Sequence, residues 1–97
     1  MKVVNIKGTA NRTCKCGSWL QHWINCTRQP VPLFCAVEGC LRSPKLGAHV
    51  RYANESHGKH YIIPMCSTHN ESTEVLSIKA GIDPVSANKS ETCELWS

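Results

Sequence analysis

Between residues 18 and 26 the apolar side chains Trp19, Leu20, Trp23 and Ile24 recur at the spacing that places them on one face of an α-helix. Ser18 stands just before them, its hydroxyl suited to capping the first free amides, so a helix is predicted from Ser18 through about Cys26. Residues 29–32 (QPVP) end it, because proline has no amide hydrogen and pushes the residue before it away from helical angles. Elsewhere the pattern shortens to runs of five or six residues rich in β-branched and aromatic side chains: 2–6 (KVVNI), 48–52 (AHVRY), 60–64 (HYIIP) and 74–79 (EVLSIK), with a weaker run at 84–86. The polar residues 53–59 (ANESHGK) join the second and third of these into a predicted hairpin, and residues 65–71 (MCSTHNE) are predicted to turn into a short helix. Residues 8–13 read as an irregular lead-in and 81–97 as a tail of turns. Without a repeat or a composition break, the expectation is one small α+β domain over residues 1–97.

A chain of 97 residues that is 41% hydrophobic buries only a thin core, and domains of this size commonly draw stability from cross-links or a metal. Seven cysteines make either available. Their number is odd, so any disulfide scheme leaves a thiol over, and residues 1–13 (MKVVNIKGTANRT) lack the apolar stretch of a secretory signal. A reduced, cytoplasmic chain is therefore expected, in which the Asn-x-Ser/Thr triplets at Asn11, Asn25, Asn54, Asn70 and Asn88 arise by chance. No apolar run approaches the roughly 20 residues of a membrane span, so no membrane partner is expected. The net charge of +4 is unevenly spread: residues 1–51 carry eight cations (Lys2, Lys7, Arg12, Lys15, Arg28, Arg42, Lys45 and Arg51) against Glu38, while residues 52–97 carry three against six acids. The N-terminal half is thus the expected face for an anionic partner, DNA or RNA.

The cysteines fall into groups. In residues 33–41 (LFCAVEGCL), Cys35 and Cys40 flank a turn that Gly39 makes feasible. Cys66 and His69 come three apart at the start of the predicted short helix, where free amides and the helix dipole favour a thiolate. Two close pairs are the usual source of a structural zinc site, so a zinc centre of Cys35, Cys40, Cys66 and His69 is predicted, with the hairpin between the pairs. A second group joins Cys14 and Cys16 to His22 on the predicted helix, and two closures are open for a second zinc. Cys26 lies four residues beyond His22 on the same side of that helix; Cys93, the preferred closure, would anchor the tail to the N-terminal segment.

Knuckle, hairpin and short helix in that order resemble the treble-clef zinc finger. Residues 47–50 (GAHV) and 61–70 (YIIPMCSTHN) resemble its HNH endonuclease branch, where a histidine on the first hairpin strand precedes a Pro-Leu-Cys-like run and a C-x2-C/H pair. The resemblance covers about residues 33–72. It implies a general-base role for His49 and a divalent-metal role for Asn70. The chain departs from the family pattern at Ala48, where many nucleases carry an acidic or histidine metal ligand, and at Tyr61, where an asparagine usually supports the base. His57 and His60 are the nearby substitutes, better suited to a softer divalent ion. The resemblance with these departures implies an HNH-like module that binds nucleic acid without cutting it. Its alternatives are a metal-dependent HNH endonuclease and a zinc-stapled protein-interaction adaptor or inhibitor. The whole chain also resembles small bacterial and phage-type zinc-binding proteins, through residues 14–19 (CKCGSW), 47–50, 61–70 and 85–93 (VSANKSETC). That likeness carries no activity, and implies that Cys14 and Cys16 pair with Cys93.

Overall fold

The computed structural model describes residues 1–8, 13–55 and 58–95; Asn11, Arg12 and His57, named above, lie outside them. Strand β1 (Lys2–Asn5) leads to helix α1 (Trp19–Thr27), the hairpin β2 (Leu46–Tyr52) and β3 (Tyr61–Met65), helix α2 (Ser67–Asn70), and the short strands β4 (Leu76–Ser77) and β5 (Val85–Ser86). Two 3-10 turns, Lys89–Glu91 and Cys93–Leu95, follow. The strands form one antiparallel sheet in the order β4-β1-β2-β3-β5. No helix among the described residues is long and apolar enough to cross a membrane.

Alternation along β2 divides the molecule into two layers. Ala48 and Val50 face a core shared with Val3, Ile63, Met65, Leu76 and Ile78, into which the knuckle residues Cys35, Ala36 and Val37 also pack. His49 points the other way, beside its β3 partner Ile62, toward a core completed by Val85 and Trp23 and covered by Trp19 and Ile24 of α1.

Helix α1 is closed at both ends: the Ser18 hydroxyl accepts from the Gln21 amide at 3.0 Å, and Arg28, in the left-handed region at φ 58°, donates its N–H to the Ile24 carbonyl at 2.8 Å. Its first turn lies directly on β2 at Gly47, where a Cβ would stand 2.5 Å from the Trp19 carbonyl carbon and 2.6 Å from the Leu20 nitrogen. The Trp23 indole N–H donates to the Asp83 carbonyl at 2.7 Å, which ties the approach to β5 onto the same helix.

The strand predicted over 74–79 pairs with β1 only at Leu76–Ser77. Ile78 keeps its amide on the Met1 carbonyl at 2.9 Å and also bridges to Val37, with Lys79 N–H on the Ala36 carbonyl and Glu38 N–H on the Ser77 carbonyl, both at 2.9 Å. The knuckle and the N-terminal segment thus use opposite edges of residues 76–79, and each edge finds partners for its backbone groups.

Candidate metal centres

The first centre is assembled from three elements. The knuckle turns through Gly39 at φ 77°, with the Cys40 amide on the Val37 carbonyl (3.1 Å) and the Cys35 amide on the Arg42 carbonyl (2.8 Å). Lys79 reaches across to donate to the carbonyls of Cys35 (2.8 Å) and Cys40 (3.2 Å), fixing the two ends of the turn with one ammonium. Cys66 caps α2, its sulfur accepting from the His69 amide at 3.4 Å, and its own amide donates to the Cys35 sulfur at 3.2 Å. Asn5 holds the far end of α2 by donating to the carbonyls of His69 (2.8 Å) and Ser72 (3.0 Å).

These supports bring one donor atom each from Cys35, Cys40, Cys66 and His69 within 4.8 Å of one another. Sulfur to sulfur, Cys40 and Cys66 are 3.9 Å apart; His69 Nδ1 is 3.3 Å from the Cys66 sulfur and 3.9 Å from that of Cys35. A tetrahedron with zinc–sulfur bonds of about 2.3 Å and a zinc–nitrogen bond of about 2.0 Å has edges of roughly 3.8 and 3.5 Å, so the donor set fits the ion. The same 3.9 Å is nearly twice the roughly 2.05 Å of a disulfide. Burial works against ionising Cys66, yet the His69 amide, the Cys35 and Cys40 thiols and the Thr68 amide outweigh it and hold that thiol below its usual range. Burial pushes Cys35 up. Of these two thiols, Cys66 is therefore the readier to meet a cation as thiolate.

The second centre joins opposite ends of the chain. Cys14, Cys16, His22 and Cys93 also place their donor atoms within 4.8 Å of one another. Gly17, at φ 96°, closes the C-x-C turn with its amide on the Cys14 carbonyl at 3.3 Å. Cys93 arrives because β5 pairs with β3 and Asn88 then starts the first 3-10 turn, accepting from the Ser90 amide at 3.1 Å and from the Thr92 hydroxyl at 2.8 Å through its own carbonyl. His22 is oriented by the Ser86 carbonyl, 3.0 Å from Nε2. A carbonyl can only accept, so Nε2 carries the proton and Nδ1 offers its lone pair to the side where the Cys16 sulfur lies, at 3.8 Å. Cys26 sits at the opposite nitrogen, its sulfur 3.9 Å from Nε2, and is outside the four-donor set. Of the two closures left open by the spacing, the structure brings Cys93 to the site.

Burial pushes the Cys14 thiol up to about 11; the Cys16 amide acts against it, and the neighbouring Cys16 and Cys93 sulfurs act with it. A metal must displace that proton, so zinc binding here should strengthen by at least about tenfold between roughly pH 6 and pH 8. Competition with a chromophoric chelator at the two pH values measures this, and an affinity indifferent to pH would speak against thiolate ligation.

His49 is 5% exposed and meets the Trp19 indole edge-to-face, ring centroids 4.5 Å apart, on the sheet face opposite the first centre. Asn70 is half-buried in the last turn of α2, its amide bonded to the Cys66 carbonyl at 3.0 Å. His60 lines a shallow cavity with Lys59, Ser86 and Glu91. Two supporting residues, Asn5 and Lys79, were not anticipated from the spacing of cysteines and histidines. Asn5 carries a signal, a polar side chain between Val4 and Ile6; Lys79 ends a run that already holds Glu74 and Ser77 and carries none.

Comparison with family models, curated proteins and solved structures finds no match to this chain. The molecule is a small α+β protein with one antiparallel sheet and two compact Cys3His clusters, each of which could hold zinc.

Proposed function

We propose that this chain is a two-zinc module of treble-clef, HNH-like build that binds nucleic acid through its basic N-terminal half and does not cleave it. The order of knuckle, β2–β3 hairpin and α2 with Cys66 at its cap supports the build. The observation that carries the non-catalytic part is the burial of His49 beneath Trp19. A general base must come within hydrogen-bond reach of the attacking water, and the indole covers the approach. Both zinc ions act as staples, since three thiolates and an imidazole complete each tetrahedron and leave no position for substrate. Lys2, Lys7, Lys15, Arg28, Arg42 and Lys45 are exposed in a half of the chain whose one acid is Glu38, which supports a polyanionic partner.

The zinc-loaded protein should bind oligonucleotides with an affinity that falls steeply with salt, log K declining by about 0.9 per phosphate neutralised on a duplex. Binding that is absent or salt-independent would remove the reading. Incubation of plasmid DNA and of RNA with Mg²⁺, Mn²⁺ or Ni²⁺ is expected to leave both intact. Cleavage that disappears in a folded His49→Ala variant would instead establish the nuclease.

A further inference from the structure

The knuckle that supplies two ligands to the first centre turns an apolar rim outward. Leu33 is 78% exposed, Leu41 75% and Phe34 39%. The bond from the Cys35 amide to the Arg42 carbonyl sets the two ends of the knuckle side by side, so Phe34 and Leu41, each adjacent to one partner of that bond, flank the same turn. Among the described residues Phe34 is the exposed aromatic: Trp23 is buried, Trp19 lies against His49, and Tyr52 and Tyr61 pack as a tilted pair with centroids 4.8 Å apart. Three large apolar side chains held out together on a small domain are the mark of a contact surface. The backbone beneath them is already ordered by Lys79, by the sheet and by the two ligands, so little freedom is left to lose on binding.

The charge around this rim selects the occupant. The Lys79 ammonium stands 5.5 Å from the centre of the Phe34 ring, anchored by the carbonyls of Cys35 and Cys40. Arg42 and Lys45 follow the knuckle, both exposed, and the acid of this segment is Glu38 alone. The partner must therefore offer flat or apolar groups and negative charge in close alternation. An unpaired nucleotide does both: its base stacks on an aromatic ring whose other approach is held by a cation, and its phosphates meet arginine and lysine. In a duplex the bases stack on one another and offer the rim only phosphate. We propose that the rim of Leu33, Phe34 and Leu41, with Arg42 and Lys45, is a binding site for single-stranded nucleic acid. It rests on the nucleic-acid reading above and adds the strand state and the residues that read it.

The test uses the zinc-loaded full chain with a fluorescent deoxythymidine oligonucleotide of about 12 nucleotides and a mixed-sequence duplex of the same length. The single strand should bind about tenfold more tightly. Phe34→Ala should weaken single-strand binding by about tenfold while leaving the salt slope and the zinc content unchanged. Phe34→Trp should bind at least as well as the parent, with its added emission quenched on binding, and guards against a loss of affinity that reflects only a disturbed knuckle. Arg42→Gln should flatten the salt slope by about 0.7, one phosphate contact on a single strand. Equal binding by Phe34→Ala and the parent, or a preference for the duplex, would overturn this site and leave the broader nucleic-acid reading standing. No binding to either oligonucleotide would end both, as would a stoichiometric protein partner that needs Phe34 in a chain with no affinity for nucleic acid.

Discussion

Exchanging Cys66 for serine should cost the chain a zinc ion and its fold together, whereas the same exchange at Cys16 should cost a zinc ion and leave the sheet standing. Cys66 serves the first centre in three ways: its sulfur lies 3.9 Å from that of Cys40 and 3.3 Å from His69 Nδ1, it accepts the His69 amide as the cap of α2, and its own amide bonds the Cys35 sulfur. Those groups stand inside the larger core, among Val3, Ala48, Ile63, Met65 and Ile78. Structural zinc sites of this kind contribute about 10–16 kcal/mol, comparable to or larger than the roughly 5–15 kcal/mol by which whole domains are stable. Removing a ligand whose thiol is held below its usual range should then leave too little to hold the knuckle, α2 and β4 together. Cys16, by contrast, is half-buried and belongs to a centre outside that core, while Trp23, Ile62 and Val85 close the second layer without it. Its loss should free the lead-in and the tail from each other. Metal analysis beside far-ultraviolet circular dichroism and a thermal melt reads both variants. A Cys66→Ser protein that keeps its metal and its melting temperature would show that the first cluster is not what holds the chain in shape.

Much of this arrangement was open to reading because it is local. The cap at Ser18, the helical spacing of Trp19, Trp23 and Ile24, and the proline-bounded end all act within one segment, and α1 spans Trp19–Thr27 accordingly. The hairpin follows from two β-rich runs around a polar loop. The pairs Cys35/Cys40 and Cys66/His69 are each set by a single turn, and their convergence needs only the hairpin between them. What escaped was decided at long range. A four-residue strand such as KVVN carries no label for its neighbours, and β1 lies between β2 and β4, its partners some fifty to seventy residues away. Spacing does not distinguish the two nitrogens of His22, whereas in the structure the Ser86 carbonyl engages Nε2, the nitrogen near Cys26, and Cys93 is the residue gathered with Cys14, Cys16 and His22. His49 likewise sits on a strand where alternation assigns it a face, yet only the docking of α1 covers that face with Trp19. A signal for the docking was present in the glycine two residues before it, on β2.

That glycine makes a second large and separable effect. Gly47→Ala is expected to weaken the second centre severely while leaving the first intact. The added methyl would lie 2.5, 2.6 and 2.7 Å from the Trp19 carbonyl carbon, the Leu20 nitrogen and the Trp19 carbonyl oxygen. All three are backbone atoms, so no side-chain rotation relieves the contact, and the first turn of α1 must lift from β2. Trp19 bridges His22 and His49, with centroids 4.9 and 4.5 Å away, and His22 lies one turn further along the same helix. Lifting the turn that runs from Trp19 to His22 draws His22 Nδ1 away from the Cys16 sulfur. Metal–ligand distances tolerate only about 0.2 Å, so a shift that costs the fold about 1–3 kcal/mol in overpacking is enough to spoil the tetrahedron. The first centre lies on the opposite sheet face and shares no ligand with α1. Zinc retained against a chelator of intermediate strength should therefore fall from two ions per chain to one, with the melting transition of the larger core preserved. Because the clash is with the main chain, trimming the indole by Trp19→Ala in the same protein should not restore the second ion. If it does, the side chain rather than the helix backbone sets how closely α1 approaches the sheet.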